Sequence, residues 1–140
     1  MQNGSLGRLL NLDVRAYNDG IAFRYIIPSS TPLLDLLIKD EETEFQFARD
    51  PGSAGLLPFA TEIAGAGQIV IAEVRKNDFP EMHLEHADPA TLVSRLKRKP
   101  GDPRVAFRGV TPFTGPWRVV VFGYAPNKVK ESMVIQDLPR

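Results

Sequence analysis

The stretch Leu9–Ile27 constrains the fold most, because two apolar-rich arms lie on either side of a short polar turn. Apolar and polar residues alternate along both arms, so each arm has one apolar face and one more polar face, as in a β-strand. The arms flank the tetrapeptide Tyr17–Gly20, and Asn, Asp and Gly tolerate the positive φ angles that a tight hairpin turn requires. The sequence therefore predicts a β-hairpin.

The rest of the chain adds short strand-like segments separated by Pro, Gly and Ser. The segments predicted as strands are residues 43–48, 59–64, 68–74, 84–87, 91–97, 105–110 and 117–124. Residues 33–38 fit a helical turn and a buried strand equally well, and residues 127–138 predict one helical turn followed by a terminal strand. About seven to nine short strands with almost no helical periodicity predict an antiparallel, all-β sandwich or barrel.

Three segments carry a more specific expectation. The pair 59–64 and 68–74 brackets Gly65–Gly67 and predicts a second hairpin. Ile69–Ala72 is apolar without alternation, which is typical of a strand covered on both faces. Residues 91–97 alternate, so we expect a strand with a solvated basic face there.

Composition excludes several classes of protein. With 140 residues the chain is expected to form one domain, residues 1–140, and it has zero formal net charge and no cysteine. Zero charge gives no general attraction to nucleic acid or to an anionic membrane. No apolar run approaches the roughly 20 residues that span a bilayer. The first residues lack the apolar core of a signal peptide.

Four strings that occur in order resemble the N-terminal domain of glycoside hydrolase family 97, the α-glucosidase and α-galactosidase family. They are VRAYNDGIAFRY, IVIAEVRKNDFPEMHL, TPFTGPWRVVVFG and ESMVIQDLP. The resemblance extends from Leu9 to Pro139. It implies a β-super-sandwich similar to galactose mutarotase. In the family this N-terminal domain packs against a (β/α)₈ catalytic barrel and a small C-terminal β domain. It also implies the bacterial periplasm or secretion.

The chain departs from this family pattern in three ways. The family domain is longer, and its first sheet region is expected before Ser5. The segment between the strand at Glu44 and Phe59 is short. The barrel, which holds the general acid and the base or nucleophile, is absent. The chain therefore resembles the latter part of such a domain, and we expect no catalytic residue and no glycosidase activity on its own.

Glu73 ends an otherwise apolar strand, and burying its carboxylate without a partner would cost several kcal/mol. We therefore expect it to meet a cation, a metal ion or water. The resemblance implies a calcium role, since in family 97 enzymes a glutamate of this domain reaches the barrel and helps to hold a catalytic calcium ion, and Glu73 aligns with it. One carboxylate cannot make a calcium site, so the isolated chain is expected to bind none. Alternatively, Glu73 is a solvated strand end or the partner of an arginine.

Arg118 and Trp117 are adjacent in the most apolar strand. A guanidinium there needs a carboxylate or carbonyl partner, because it stays charged, and Glu73 and Glu62 are the candidates. Arg118 either supports a site by orienting its carboxylate, forms a structural pair, or points outward. Trp117 either stacks on a sugar as a substrate-binding residue or belongs to the core.

Two other polar clusters predict no site. His83 and His86, with Glu81 and Glu85 nearby, suggest a metal, but residues three apart on a strand face opposite sides. A basic cluster lacks the aromatic interleaving of nucleic-acid sites, and we interpret it as a solvated hairpin. Its members are Arg95, Lys97, Arg98, Lys99, Arg104 and Arg108.

The predicted function is that of a non-catalytic β-sandwich that supports a calcium-dependent barrel acting on α-glucosides or α-galactosides. The expected partners are this barrel, an α-linked oligosaccharide and a further copy of the chain, because a half-sandwich leaves an apolar face and open strand edges. Nucleic acid and membrane are not expected partners. The alternatives are a stand-alone carbohydrate-binding module and a structural or oligomerisation β domain.

Overall fold

The computed structural model describes residues 2–3, 8–29, 36–65, 67–74 and 78–139. Within these ranges every strand pair is antiparallel, and the predicted all-β class is confirmed. In chain order the strands are β1 (Gln2–Asn3), β2 (Arg8–Leu9), β3 (Asn11–Tyr17), β4 (Gly20–Ile27), β5 (Leu36–Ile38), β6 (Glu44–Gln46), β7 (Phe59–Ile63), β8 (Gly67–Val74), β9 (Met82–Asp88), β10 (Thr91–Leu96), β11 (Phe107–Gly109), β12 (Phe113–Thr114) and β13 (Trp117–Phe122). A 3₁₀ helix (Pro126–Glu131) and the short α-helix α1 (Met133–Asp137) follow.

The largest sheet contains both predicted hairpins. Its order is β3-β4-β13-β8-β7, and β12 continues β13 along the same edge of β4. The first hairpin is confirmed, because β3 pairs over its whole length with β4, and the two strands close at Tyr17 and Gly20. The second is confirmed as the pair β7–β8, which closes at Ile63 and Gly67. Residue 66 of its turn lies outside the described residues.

Gly20 serves a different purpose from the one predicted. Its φ lies outside the left-handed region, and Gly20 is the first residue of β4 rather than a turn residue. A Cβ atom at this position would collide with the backbone carbonyl of Val120 and crowd Val134. The glycine is therefore required for the close approach of β4 to β13.

The second layer of the sandwich covers one face of the large sheet. It consists of the sheet β6-β10-β9 and the pair β5–β11. Between the layers lies an apolar cluster whose buried members are Phe59, Ile71, Phe79, Met82, Leu84, Leu92, Leu96 and Ala106. Phe45 and Phe47 both pack against it, as their spacing predicts.

The C-terminal helices cover the opposite face of the large sheet. A second cluster joins them to the sheet through Ala22, Val70, Trp117, Val119, Val121, Val129, Val134 and Leu138. The predicted terminal strand is wrong, because Ser132 accepts a hydrogen bond from the Ile135 N–H (3.3 Å) and begins a helix there. Helices on one side and a second sheet on the other bury β8 on both faces, as predicted for Ile69–Ala72.

Two strands of the second layer differ from expectation. β9 is longer than predicted, because it pairs with β10 from Met82 to Asp88. β10 has no fully solvated basic face, because Val93, which shares the outer face with Arg95, is 5% exposed, and the Arg95 side chain is only 31% exposed. Of the ambiguous segment 33–38, residues 36–38 form a strand and residues 33–35 lie outside the described residues. In the described part of the chain, no helix has the length and apolarity needed to cross a bilayer.

Candidate functional site

Arg118 lies at the centre of the one buried charged cluster of the described residues. On β13 the side chains alternate, so that Trp117 and Val119 face the helices while Arg118 faces the second layer. The Arg118 side chain is 0% exposed. Because a buried guanidinium stays charged, the surrounding residues must supply carboxylate oxygens.

Glu73 is one of these carboxylates. It lies opposite Arg118 in the β8–β13 register, and its Oε2 accepts from Arg118 Nη1 at 3.0 Å. The same oxygen accepts from the Met82 N–H at 3.2 Å. Of the two partners predicted for Arg118, Glu73 forms this pair.

Glu41 supplies the second carboxylate. Arg118 Nη2 donates to Glu41 Oε1 at 2.6 Å, and Arg118 Nε lies 3.2 and 3.1 Å from the two carboxylate oxygens. This two-pronged contact matches the planar fork of arginine to a carboxylate. Glu41 is not identifiable from the sequence, because the bend Asp40–Glu42 offers three adjacent acids and only the fold determines which one points inward.

Hydroxyl groups complete the shell around Glu41. Its Oε2 accepts from Thr43 Oγ1 at 3.0 Å and from Ser94 Oγ at 3.3 Å. The Tyr25 hydroxyl lies 2.7 Å from Thr43 Oγ1. The cluster therefore ties β4, β10 and β13 to the segment before β6.

Asp40 anchors the same segment from its other side. Its Oδ1 accepts from the Leu96 N–H at 2.8 Å, and its Oδ2 from Arg98 Nη2 at 2.9 Å. Arg95, which the sequence placed on a solvated face, lies 3.5 Å from Glu85 and 3.7 Å from Glu42. Part of the basic cluster is thus neutralised by acids brought close by the fold.

The arrangement orients carboxylates and compensates their charge. The side chains of Glu41 and Glu73 are only 12% and 11% exposed. Glu73 also borders an open groove beside Leu57, Glu81 and Met82, at the end of β8 that extends beyond its pairing with β7. Glu73 is the member of the cluster that lies at this groove.

Trp117 lies in the core and is 3% exposed. Its Nε1 donates to the Pro139 carbonyl at 3.3 Å, and the Arg24 guanidinium carbon lies 4.3 Å from the ring centroid. Arg24 in turn pairs with Asp13 at 3.1 Å. These contacts favour the core interpretation, because the ring face that a sugar would need is occupied by Arg24.

The two histidines bind different partners. His83 Nε2 lies 3.3 Å from Glu85 Oε2, whereas His86 Nε2 lies 2.7 Å from the Gly52 carbonyl oxygen. The described residues include no group of three or more His, Cys, Asp or Glu side chains placed to hold a metal ion.

Comparison with known proteins finds one family model that matches part of the chain, and solved structures that share its fold. Residues 1–56 match the family model described as Glycosyl-hydrolase 97 N-terminal. A glycoside hydrolase family 97 enzyme from Pseudoalteromonas sp. strain K8 in complex with acarbose matches with a TM-score of 0.67 and 21% identity over 81% of this chain. An arginine-to-lysine variant from the same organism, and a glutamate-to-glutamine variant in complex with panose, match with the same values. No curated protein matches the chain.

The chain spans only 21% of the length of these enzymes. The matches confirm both the resemblance to the N-terminal region of the family and the β-sandwich fold.

Proposed function

We propose that this chain is a non-catalytic β-sandwich of a family 97-like glycoside hydrolase and supports a calcium-dependent (β/α)₈ barrel acting on α-glucosides or α-galactosides. The observation that carries the proposal is the agreement between the family match at residues 1–56 and the fold shared over 81% of the chain. The Arg118 cluster is consistent with a supporting role, because its carboxylates are held by a guanidinium and by hydroxyl groups.

The groove beside Glu73 is the surface that we assign to the barrel. Leu56 at this groove is 77% exposed, and β8 has residues beyond its pairing with β7. An exposed large apolar side chain is typical of a surface that another domain covers.

The reading frame around the chain provides the test. We expect it to encode a barrel with alternating strands and helices, and the whole protein to hydrolyse α-glucosides or α-galactosides while the isolated chain does not. A whole protein without hydrolytic activity on either class, or an active isolated chain, would overturn the proposal.

Calcium is part of the proposal only for the longer protein. Calcium takes about six to eight oxygen ligands, and Glu73 offers one carboxylate, of which Oε2 already accepts from Arg118 and Met82. This chain therefore fits calcium as the donor of a single ligand, oriented by Arg118, to a site completed by another domain. In the whole protein, Glu73→Gln should weaken calcium binding measured by calorimetry, whereas Glu62→Gln, on an exposed position of β7, should not.

The carbohydrate-binding alternative has a direct test, because Trp117 is the single tryptophan. Since its ring is buried beneath Arg24, we expect no fluorescence change when maltose-type or galactosyl sugars are added to the isolated chain at millimolar concentration. A saturable change would favour a binding module instead.

Self-association is the last part of the proposal. It is supported by large apolar side chains that stay exposed on the hairpin, among them Leu12, Val14 and Ile21. Light scattering at micromolar concentration should detect a dimer or a larger oligomer, and a monomer would count against it.

A further inference from the structure

The outer edge of β3 is an open strand edge with an apolar face. Among the described residues β3 pairs only with β4. Leu12 and Val14 are 58% and 54% exposed, although they lie on the face that the second layer covers further along the sheet. The second layer ends at β6, where Phe45 packs on Phe23 with ring centroids 6.2 Å apart. One strand further out, on β3, Leu12 and Val14 on this face are each more than half exposed among the described residues.

The ladder determines which backbone groups of β3 point outward. Tyr17 and Gly20 close a two-residue turn, so they exchange hydrogen bonds, and every second residue of β3 from Tyr17 back to Asn11 also bonds to β4. A hydrogen bond on the opposite edge of β4 agrees with this assignment. Tyr25, which lies opposite the intervening residue Leu12, accepts there from the Gly115 N–H at 2.8 Å, so its backbone groups point away from β3. The N–H and C=O groups of the intervening residues Leu12, Val14 and Ala16 therefore point away from β4.

An antiparallel partner must bond to these three residues. If the partner is a second copy of β3, a two-fold axis through Val14 places Val14 opposite Val14 and Leu12 opposite Ala16 of the other copy. Both pairs are bonded pairs in this register. It also places Asp13 opposite Arg15 of the other copy, twice. Shifting the axis to residue 13 or 15 would place Asp13 opposite Asp13, or Arg15 opposite Arg15, and like charges directly opposite each other are destabilising.

We infer that β3 pairs antiparallel with β3 of a second copy, with the two-fold axis at Val14. The partner strand belongs to a second copy of this chain, because the edge sequence Leu-Asp-Val-Arg-Ala is complementary to itself in charge. This complementarity occurs in the register in which the outward backbone groups of Leu12, Val14 and Ala16 all form bonded pairs. The pairing would join two large sheets and place Leu12 and Val14 of both copies side by side on one face, with Ile21 one strand further from the axis. This inference rests on the self-association part of the proposed function and is independent of its hydrolase part.

Cysteine cross-linking tests the axis. The chain has no cysteine, so Val14→Cys introduces a single thiol. Directly opposed residues in a bonded antiparallel pair lie about 5.5 Å apart at Cα, within the range that a disulfide spans. Val110→Cys is the matched control, because Val110 is a valine of similar exposure, 57%, away from the hairpin. At micromolar concentration under mild oxidation, we expect the Val14→Cys protein to form disulfide-linked dimers at least about tenfold faster than the control.

Sedimentation of two variants tests the register. Arg15→Glu faces Asp13 of the other copy with a like charge and should weaken self-association about tenfold or more, whereas Arg15→Lys should retain it. Circular dichroism shows whether each variant is folded.

The outcomes distinguish the β3 pairing from self-association in general and from the hydrolase proposal. A dimer in which Val14→Cys cross-links no faster than Val110→Cys would overturn the β3 axis and leave self-association in place. A monomeric wild-type chain would overturn both and leave the hydrolase proposal unaffected. A dimer that cross-links through Val14→Cys and is weakened by Arg15→Glu would support the assignment.

Discussion

At the residue scale, the stability of the sandwich depends on Arg118. Replacing it with Met would leave the carboxylates of Glu41 and Glu73 buried without their cation. Removing one partner of such a cluster typically costs about 3–5 kcal/mol, so we expect a loss of that size in the free energy of unfolding measured with urea. Arg104→Met is the control, because Arg104 is 87% exposed and should change stability by less than about 0.5 kcal/mol. Equal unfolding midpoints for the two variants would contradict a structural role for the cluster.

His86 makes stability depend on pH. Its pKa is raised above the ordinary value chiefly by its hydrogen bond to the Gly52 carbonyl, and further by the Asp88 carbonyl, since a protonated ring can donate to both. A pKa raised in the folded state means that the stabilisation is fully present below about pH 6.5 and is lost as pH rises through the folded-state pKa. We expect His86→Gln to lower the urea midpoint most in mildly acidic solution and least in alkaline solution. A difference between the two proteins that grows with pH would contradict this.

At the element scale, the contact between β4 and β13 depends on the missing side chain of Gly20. Gly20→Ala would place a methyl group against the Val120 carbonyl oxygen. Because this oxygen and the nearby Val121 Cα are backbone atoms of β13, they have little room to move away. We expect a loss of about 1–3 kcal/mol, as is typical of overpacking. Gly55→Ala is the matched control, because a Cβ there meets nothing within 4 Å. Thermal unfolding of both variants measures the difference, and equal melting temperatures would show that the strands can separate without loss.

Elements were predictable where the signal is local. The first hairpin follows from alternation and turn residues, and the second from two strand-like segments that bracket Gly65–Gly67. The shared face of Phe45 and Phe47 follows from a period of two. The C-terminal helix was not predictable, because residues 133–137 are apolar enough for a strand, and the Ser132 cap that selects a helix depends on the arrangement of the chain. For the site, sequence identified Arg118 and Glu73 because an ion in an apolar strand needs a partner. It could not identify Glu41, which is 77 residues from Arg118 along the chain.

At the scale of the whole molecule, the chain forms three layers, and the C-terminal helices are the third. Adjacent residues of α1 provide a matched pair, since Val134 is fully buried against the sheet and Met133 is half exposed. Val134→Ser should destabilise the fold by about 2–4 kcal/mol, because it removes apolar contacts and buries a hydroxyl group, whereas Met133→Ser should stay within about 0.5 kcal/mol. Near-ultraviolet circular dichroism of Trp117 during urea unfolding would report both. Similar losses of unfolding free energy for the two variants would show that the packing of Val134 against the sheet does not stabilise the fold.

The pairing of β4 with β13 has a consequence for synthesis of the chain. Gly20 pairs with Val121, so the central strands of the large sheet come from opposite ends of the sequence. A lone two-stranded hairpin is marginal in water, and ribosomes add about 5–20 residues per second, so the first hairpin waits about 5–20 s before its partner exists. Such distant pairing also predicts slow folding. The nascent chain therefore exposes Leu12, Val14 and Phe23 together for seconds, which makes this hairpin a segment that a chaperone would be expected to bind.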